Sequence, residues 1–386
     1  MTLITQNDQL QDLCRRLSAG PFITVDTEFL RDRTYWPKLC VLQIAGPEDN
    51  DCGVVDVLAP GLDLGPVYEL FDDPAIVKVF HAARQDIEIF HIQRGAIPLP
   101  LFDTQVAAMV CGFGDSVGYD TLVAKLTGGV IDKSSRFTDW SLRPLSKKQI
   151  DYALGDVTYL RKVYLALCDR LEKSGRTAWV DEEMDILRNP GTYEVVPDQA
   201  WRRLKSRTNR PKFLAILREV AAWREREAQR RDVPRNRVIR DETLTEIAAH
   251  APTEPNALAR TRGFSESLAR GRVGAAILEA VQRGLDTPAK EAPVLAAKPD
   301  LPKNIGPVID LLRVLLKMKC AAHDVAQKLI ASAADLELLA ADDKADIRAL
   351  HGWRRELFGE DALAVKHGRL AISINGRRLK LIATNG

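Results

Sequence analysis

Leu10, Leu13 and Leu17 set an apolar residue every three or four positions through Gln6 to Leu17, the stripe of a short helix that Gly20-Pro21 ends. The period then falls to two. Phe22-Ile23-Thr24-Val25-Asp26-Thr27-Glu28-Phe29 alternates apolar and polar residues and predicts a strand. Leu39 to Ile44 predicts a central strand and Asp51 to Leu58 a third; their short connections imply an antiparallel meander. A helix around Val67 to Phe71, a strand at Ile76 to Phe80 and a helix from Arg84 to Arg94 follow. Pro98-Leu99-Pro100 closes that segment, and Asp103 stands where it would N-cap the next helix. Gly118 to Thr127 reads as helical up to Gly128-Gly129, and Ser146 caps a long helix reaching about Lys173. Strands first, with helices around them, predict an α/β or α+β unit of about 170–190 residues.

The second half is helical. After Asn189-Pro190-Gly191 a new unit begins near Asp198. Pro211-Lys212-Phe213 opens a helix with Leu214, Leu217, Val220 and Ala221 on one stripe and Arg218, Arg224 and Arg226 on its other face. Val233 to Arg237 turns into a helix starting at Asp241, and further helices fall near Asn256 to Thr261 and Ser265 to Arg283. Thr287 to Pro302, rich in Pro and Ala, reads as a linker. Beyond it lie a helix around Val308 to Met318, one carrying Trp353, and an alternating Ile372 to Ile382 that predicts a hairpin turning at Asn375-Gly376. The 386 residues thus divide into 1–198, 199–288 and 303–386.

Charge sharpens this division. The net charge of +2 conceals 20 Lys+Arg against 30 Asp+Glu in residues 1–200, then 20 against 11 in residues 201–290, and 15 against 12 in the rest. Arg202 to Arg240 alone holds 14 basic and 4 acidic residues. An acidic front joined to a basic middle suggests a metal-bearing unit followed by one that holds a polyanion; two unrelated surface compositions are the plain alternative. Six scattered cysteines without a Cys-x-x-Cys argue against structural zinc and a disulfide framework. No apolar run is long enough for a membrane span, and the N-terminus has no signal-peptide pattern, so a cytoplasmic protein is expected.

The chemistry lies among acids. Side chains two apart on a strand share a face, so Asp26 and Glu28 project together. Carboxylates that close repel, and a cation between them resolves it. Asp86 falls in the first turn of its helix, where the helix dipole alone would favour it. Tyr152 and Asp156, at i and i+4, share a helix face, a spacing also common in ordinary packing. Asp103 and Asp139 read as structural or supporting acids. The polar loop from Asp132 to Trp140 has basic residues, Lys133 and Arg136, that suit a phosphate backbone or a mere connector.

Taken together, Val25-Asp26-Thr27-Glu28-Phe29, then His81-Ala82 with Asp86 five residues on, then Arg136-Phe137-Thr138-Asp139-Trp140, then Tyr152-Ala153-Leu154-Gly155-Asp156 form an ordered set. This set resembles the DEDD 3′–5′ exonuclease superfamily in its tyrosine-containing branch, and within that branch the bacterial ribonuclease D family. The basic helical middle is similar to the HRDC domain shared by RecQ-type helicases and that family. The resemblance implies an α/β ribonuclease-H-like exonuclease domain, a mixed sheet flanked by helices, followed by two all-α HRDC-type domains, the second by position and helicity. It implies that Asp26, Glu28, Asp86 and Asp156 hold two divalent ions, Mg²⁺ or Mn²⁺. Asp26 would lie between the ions, Glu28 and Asp156 on the nucleophile side, and Asp86 on the leaving-group side. Tyr152 would position the attacking water. Phe29, His81, Lys133 and Arg136 are candidate substrate contacts. The implied activity is metal-dependent 3′–5′ exoribonuclease action on tRNA precursors by a monomer, releasing 5′-monophosphates. A DNA 3′–5′ exonuclease and a non-catalytic RNA-binding scaffold are the rival expectations.

Overall fold

A computed structural model describes residues 3–206, 208–295 and 301–384. Of the expected linker, residues 296–300 lie outside the described residues. By spatial contact the chain forms two compact units. One comprises residues 1–28, 40–192 and 299–386, the other residues 29–39 and 193–298.

The first unit is built on a six-stranded sheet. Its elements are β1 (Leu3–Ile4), α1 (Asn7–Leu17), β2 (Phe22–Leu30), β3 (Lys38–Ala45), β4 (Cys52–Asp56), α2 (Gly65–Asp72), β5 (Val77–Phe80), α3 (Arg84–Arg94), β6 (Leu101–Asp103), α4 (Thr104–Val110), α5 (Tyr119–Thr127), α6 (Lys147–Ser174) and α7 (Thr177–Arg188). The strands run in the order β1-β4-β3-β2-β5-β6. β3 and β4 pair antiparallel, whereas β1–β4, β2–β5 and β5–β6 pair parallel. The sheet is therefore mixed and flanked by helices, the class expected from the sequence. The pattern did not reveal β1 or β6, which are too short for a period to show.

Burial explains the arrangement. Ile23, Val25, Val41, Leu42, Ile44, Val54, Val55, Val79 and Phe80 are buried, as befits a central sheet with helices against it. α6 starts with a capping box, Ser146 and Gln149 satisfying each other's backbone N–H. It is tied to the sheet where the Thr24 hydroxyl donates to the Val157 carbonyl at 2.9 Å. Phe22, Val79 and Leu160 close the apolar contact beneath that bond.

Residues 303–386, set apart by sequence pattern, cluster with the sheet in space. They form α-helices Gly306–Ala322, Gln327–Ile330 and Ala333–Ala341, a π-helical turn over Arg355–Gly359, and a hairpin of Leu370–Asn375 with Arg378–Ala383. Asn375 faces Arg378, so the turn is Gly376-Arg377, one residue later than expected. Gly376 supplies the positive φ of 63°. Trp353 stacks on Trp179 at 4.0 Å and 7°. Beside it, Arg354 is 1% exposed; it donates to the Leu329 carbonyl at 2.7 Å and pairs with Glu182 and Glu183.

The second unit contains α8 (Pro211–Arg231), α9 (Arg235–Val238), α10 (Asp241–His250), α11 (Pro255–Ala259), α12 (Glu266–Arg270) and α13 (Arg272–Asp286). The helix expected from Ser265 to Arg283 is broken at Gly271 into α12 and α13. Gly284 lets α13 lie against α8, since a Cβ there would meet the Ile216 Cα at 2.5 Å. Arg224 does not share an outward basic face with Arg218 and Arg226. It is 3% exposed and donates to the Ile239 carbonyl and the Asp241 carboxylate.

Truncating Arg354 leaves Glu183 buried without one of its partners. Arg354→Ala is expected to cost about 3–5 kcal/mol, read as a lower urea midpoint in near-UV circular dichroism of the stacked tryptophans. An unchanged midpoint would show that the ion pair is not what secures the tail.

Candidate active site

β2 brings Asp26 and Glu28 to one face, and the tie from Thr24 to Val157 brings the neighbouring turn of α6 alongside. In consequence Asp26, Glu28 and Asp156 offer ligand oxygens that all lie within 4.8 Å of one another. Asp86, in the first turn of α3, is buried and accepts a hydrogen bond from the Thr27 hydroxyl. Its position depends on Asp103. That carboxylate caps α4 through Gln105 and Val106, and it also accepts from the backbone N–H groups of Ala82 and Ala83 at 3.0 and 2.8 Å. It thereby holds the left-handed turn at Ala82 (φ 59°) that launches α3. Asp103 is structural; the Asp139 carboxylate accepts from the backbone and hydroxyl of Ser141.

The electrostatics follow from burial and like charge. Burial pushes Asp26 well above the usual carboxylate range, and Asp156, Asp86 and Glu28 push it further. Glu28 rises to about 9 by burial and by Asp156 and Asp86, with Arg136 opposing. Asp86 and Asp156 rise to about 7, again chiefly by burial. Thr27 offsets the rise at Asp86; Tyr152 and Arg136 offset it at Asp156. The Tyr152 hydroxyl hydrogen bonds Asp156, and burial and the nearby acids raise its own pKa, so it remains a donor. The donor set is oxygen throughout, charged and crowded, which is what hard divalent cations take.

Other expected contacts divide. Arg136 lies close enough for its charge to favour ionised Glu28 and Asp156. Lys133 instead pairs with Asp120 at 2.7 Å. His81 sits 3.0 Å from the Thr104 hydroxyl with its ring against Tyr119, and burial lowers its pKa. Phe29 follows Glu28 along β2 and is half-buried. Sequence reasoning gave no role to three further residues. Thr27 was visible in the motif but not as a partner of Asp86. Tyr119 donates to the carbonyls of Gly155 and Asp156 at 3.0 and 2.7 Å, fixing the turn that carries Asp156. Trp140 is buried with its ring 6.0 Å from that of Tyr152. No periodicity pointed to Tyr119, and Trp140 stood in a quoted string without a partner.

Comparison with known proteins supplies a frame. A family model described as 3′–5′ exonuclease matches residues 1–172, and one described as HRDC domain matches residues 213–281. The chain is 53% identical to ribonuclease D of Granulibacter bethesdensis over 385 residues, covering 99% of this chain and 97% of that protein. It is 52% identical to ribonuclease D of Nitrobacter hamburgensis over 379 residues, covering 98% of each. Among solved structures it is similar to Escherichia coli RNase D, described as an exoribonuclease involved in structured RNA processing. That match has a TM-score of 0.78 and 31% identity, and it covers 95% of this chain and 98% of that one.

The raised carboxyls make stability depend on pH. Each holds its proton in the folded protein where the unfolded chain, with ordinary values near 4, has lost it. Metal-free protein is therefore expected to lose stability as pH climbs from about 4 through about 7 for Asp86 and Asp156 and about 9 for Glu28. A cation that takes only ionised carboxylates returns that stability, more so at higher pH. Thermal unfolding with and without Mn²⁺ at both ends of this range checks it: the Mn²⁺-induced rise in midpoint should be larger at the alkaline end. An equal rise at both would contradict binding by these acids.

Proposed function

This chain belongs to the ribonuclease D family of 3′–5′ exoribonucleases, and we propose how its own residues trim RNA. The observation that carries the reading is the convergence of Asp26, Glu28 and Asp156 within 4.8 Å, with Asp86 beside them and Tyr152 bonded to Asp156. Asp26, Glu28, Asp86 and Asp156 would hold two divalent cations, Mg²⁺ or Mn²⁺. When bound, such cations supply an acidified water and neutralise charge on the attacking and leaving oxygens of phosphodiester hydrolysis. The Tyr152 hydroxyl, kept protonated, orients the attacking water by hydrogen bonding and does not serve as its base. Thr27, Tyr119 and Asp103 hold the carboxylates in register, and Arg136 presents a guanidinium to a substrate phosphate. Each cycle releases a 5′-monophosphate and leaves a new 3′ hydroxyl for the next.

The substrate class we infer is the single-stranded 3′ trailer of tRNA precursors. The second unit supports it with exposed Arg202, Arg203, Lys205, Arg210 and Lys212. Such groups contact phosphates without reading sequence. Residues 1–198 would be the exonuclease domain, 199–288 an HRDC domain and 303–386 a second, diverged one. A cytoplasmic monomer is the proposed form; among the described residues, no helix is long and apolar enough to cross a membrane.

A 5′-labelled tRNA precursor with Mg²⁺ tests this. The wild type should give a ladder of stepwise shortening. Asp156→Asn should lower the rate by at least about 10³-fold, given the loss of a charged cation ligand. Tyr152→Phe should lower kcat by about 10–100-fold, the scale of lost orientation, with KM nearly unchanged. Retained shortening in Asp156→Asn would sink the metal-site assignment, and strong preference for an added DNA tail would sink the RNA substrate.

A further inference from the structure

The segment between α5 and α6 presents large apolar side chains to solvent: Val130 is 86%, Phe137 90% and Leu142 65% exposed. The segment is not a loose tether. Ser135 is buried, and its carbonyl accepts from both the backbone and the hydroxyl of Thr138, at 3.2 and 2.8 Å. Gln149, from the first turn of α6, donates to the Thr138 hydroxyl. Trp140 is 2% exposed against Tyr152, and Arg143 grips the Asp56 carboxylate with two hydrogen bonds of 2.8 and 2.6 Å. Phe137 stands between these anchors, so its ring is displayed by a fixed crest.

Arg136 links that ring to the acidic cluster. Its guanidinium carbon lies 5.2 Å from the Phe137 ring centroid, while its charge favours ionised Glu28 and Asp156. An exposed aromatic ring with a cation over it, a few residues from the wall of a phosphodiesterase site, has the parts of a nucleotide clamp. Every base has a π-face, so a stacking contact tolerates each new base that trimming brings to the end, whereas a hydrogen-bonded pocket would select among them.

Building on the exoribonuclease reading above, we propose that Phe137 is the stacking platform for a base of the single-stranded RNA tail, with Arg136 on the adjoining phosphate. Phe137 positions the tail and takes no part in bond breaking. The test uses the full chain with Mg²⁺, comparing the wild type, Phe137→Ala and Phe137→Trp. One substrate has an ordinary 3′ tail; the other has the same tail with abasic residues at its last few positions. On the ordinary tail, Phe137→Ala should raise KM about tenfold, the scale of one lost base stack, with kcat within about twofold; Phe137→Trp should restore KM. On the abasic tail the KM values should converge. An unchanged KM, a loss confined to kcat, or a loss that persists without bases would overturn the proposal. A tail carrying 2-aminopurine, titrated with Ca²⁺ in place of Mg²⁺, reads stacking without cleavage: its fluorescence should be quenched by the wild type and not by Phe137→Ala. If the wild type left RNA whole with Mg²⁺ and Mn²⁺, the exonuclease reading would fail, and this titration would still decide the role of Phe137. Absence of quenching in the wild type would overturn the stacking proposal.

Discussion

Mutual repulsion among crowded carboxylates, two buried and two half-buried, is the constraint on which this structure turns. Ionised groups within 4.8 Å of one another repel by at least roughly 3 kcal/mol per pair at an effective dielectric constant near 20. A fold left to relax would splay them. Here each is fixed by something other than its own charge. Asp26 and Glu28 are fixed by the pleat of β2, and Asp86 by Thr27 and by the turn that Asp103 clamps. Asp156 is fixed by Tyr119 on its carbonyl and Tyr152 on its carboxylate. Because the acids are held together by neutral hydrogen bonds and buried apolar residues, and not by a basic side chain among them, their charge is left for a cation to neutralise. A lysine among the acids would neutralise them instead.

That division explains what the sequence made legible. Asp26 and Glu28 could be paired from the strand period alone, and α3 runs from Arg84 to Arg94 as its pattern predicts. Tyr152 and Asp156 follow from helical spacing. The supports were not legible, because each depends on residues far apart in the chain. Thr27 reaches Asp86 across 59 positions, and Tyr119 reaches Asp156 across 37. The strands β1 and β6, two and three residues long, carry too few side chains to show alternation. Nor did the pattern show that residues 29–39 cluster with the helical unit, where Tyr35 bonds the buried Glu225.

Charge counting had a similar limit. The basic excess of residues 201–290 suggests a surface for a polyanion, or merely a different surface composition. Part of it is spent internally. Arg224 is buried on Asp241, and Arg235 is bound by two hydrogen bonds to Glu225, itself fully buried. These pairs tie α8 to α10 and to α9 and contribute little field outside the protein. Exposed arginines and lysines remain ahead of α8, from Arg202 to Arg210, along α8 itself at Arg226, Arg230 and Arg231, and beyond it at Arg237 and Arg240. The same correction applies beside the active site. Lys133 and Arg136 share one loop and one charge, yet Asp120 neutralises the first while the second faces the acids. Proximity in sequence made them look equivalent, and pairing in space separates them.

The loop between α5 and α6 shows how such a site remains accessible without being soft. A substrate tail must reach the carboxylates, so the acids cannot be roofed by core. The chain meets this by burying Ser135 and Trp140, anchoring the Arg143 guanidinium on Asp56, and leaving the residues between them outside. Trp140 does two things at once. It is buried under the loop and backs the ring of Tyr152, whose hydroxyl bonds Asp156. The placement of the Tyr152 ring and the display of Phe137 thus share one buried side chain. A change at Trp140 would disturb both together, whereas a change at Phe137 leaves Trp140 in place.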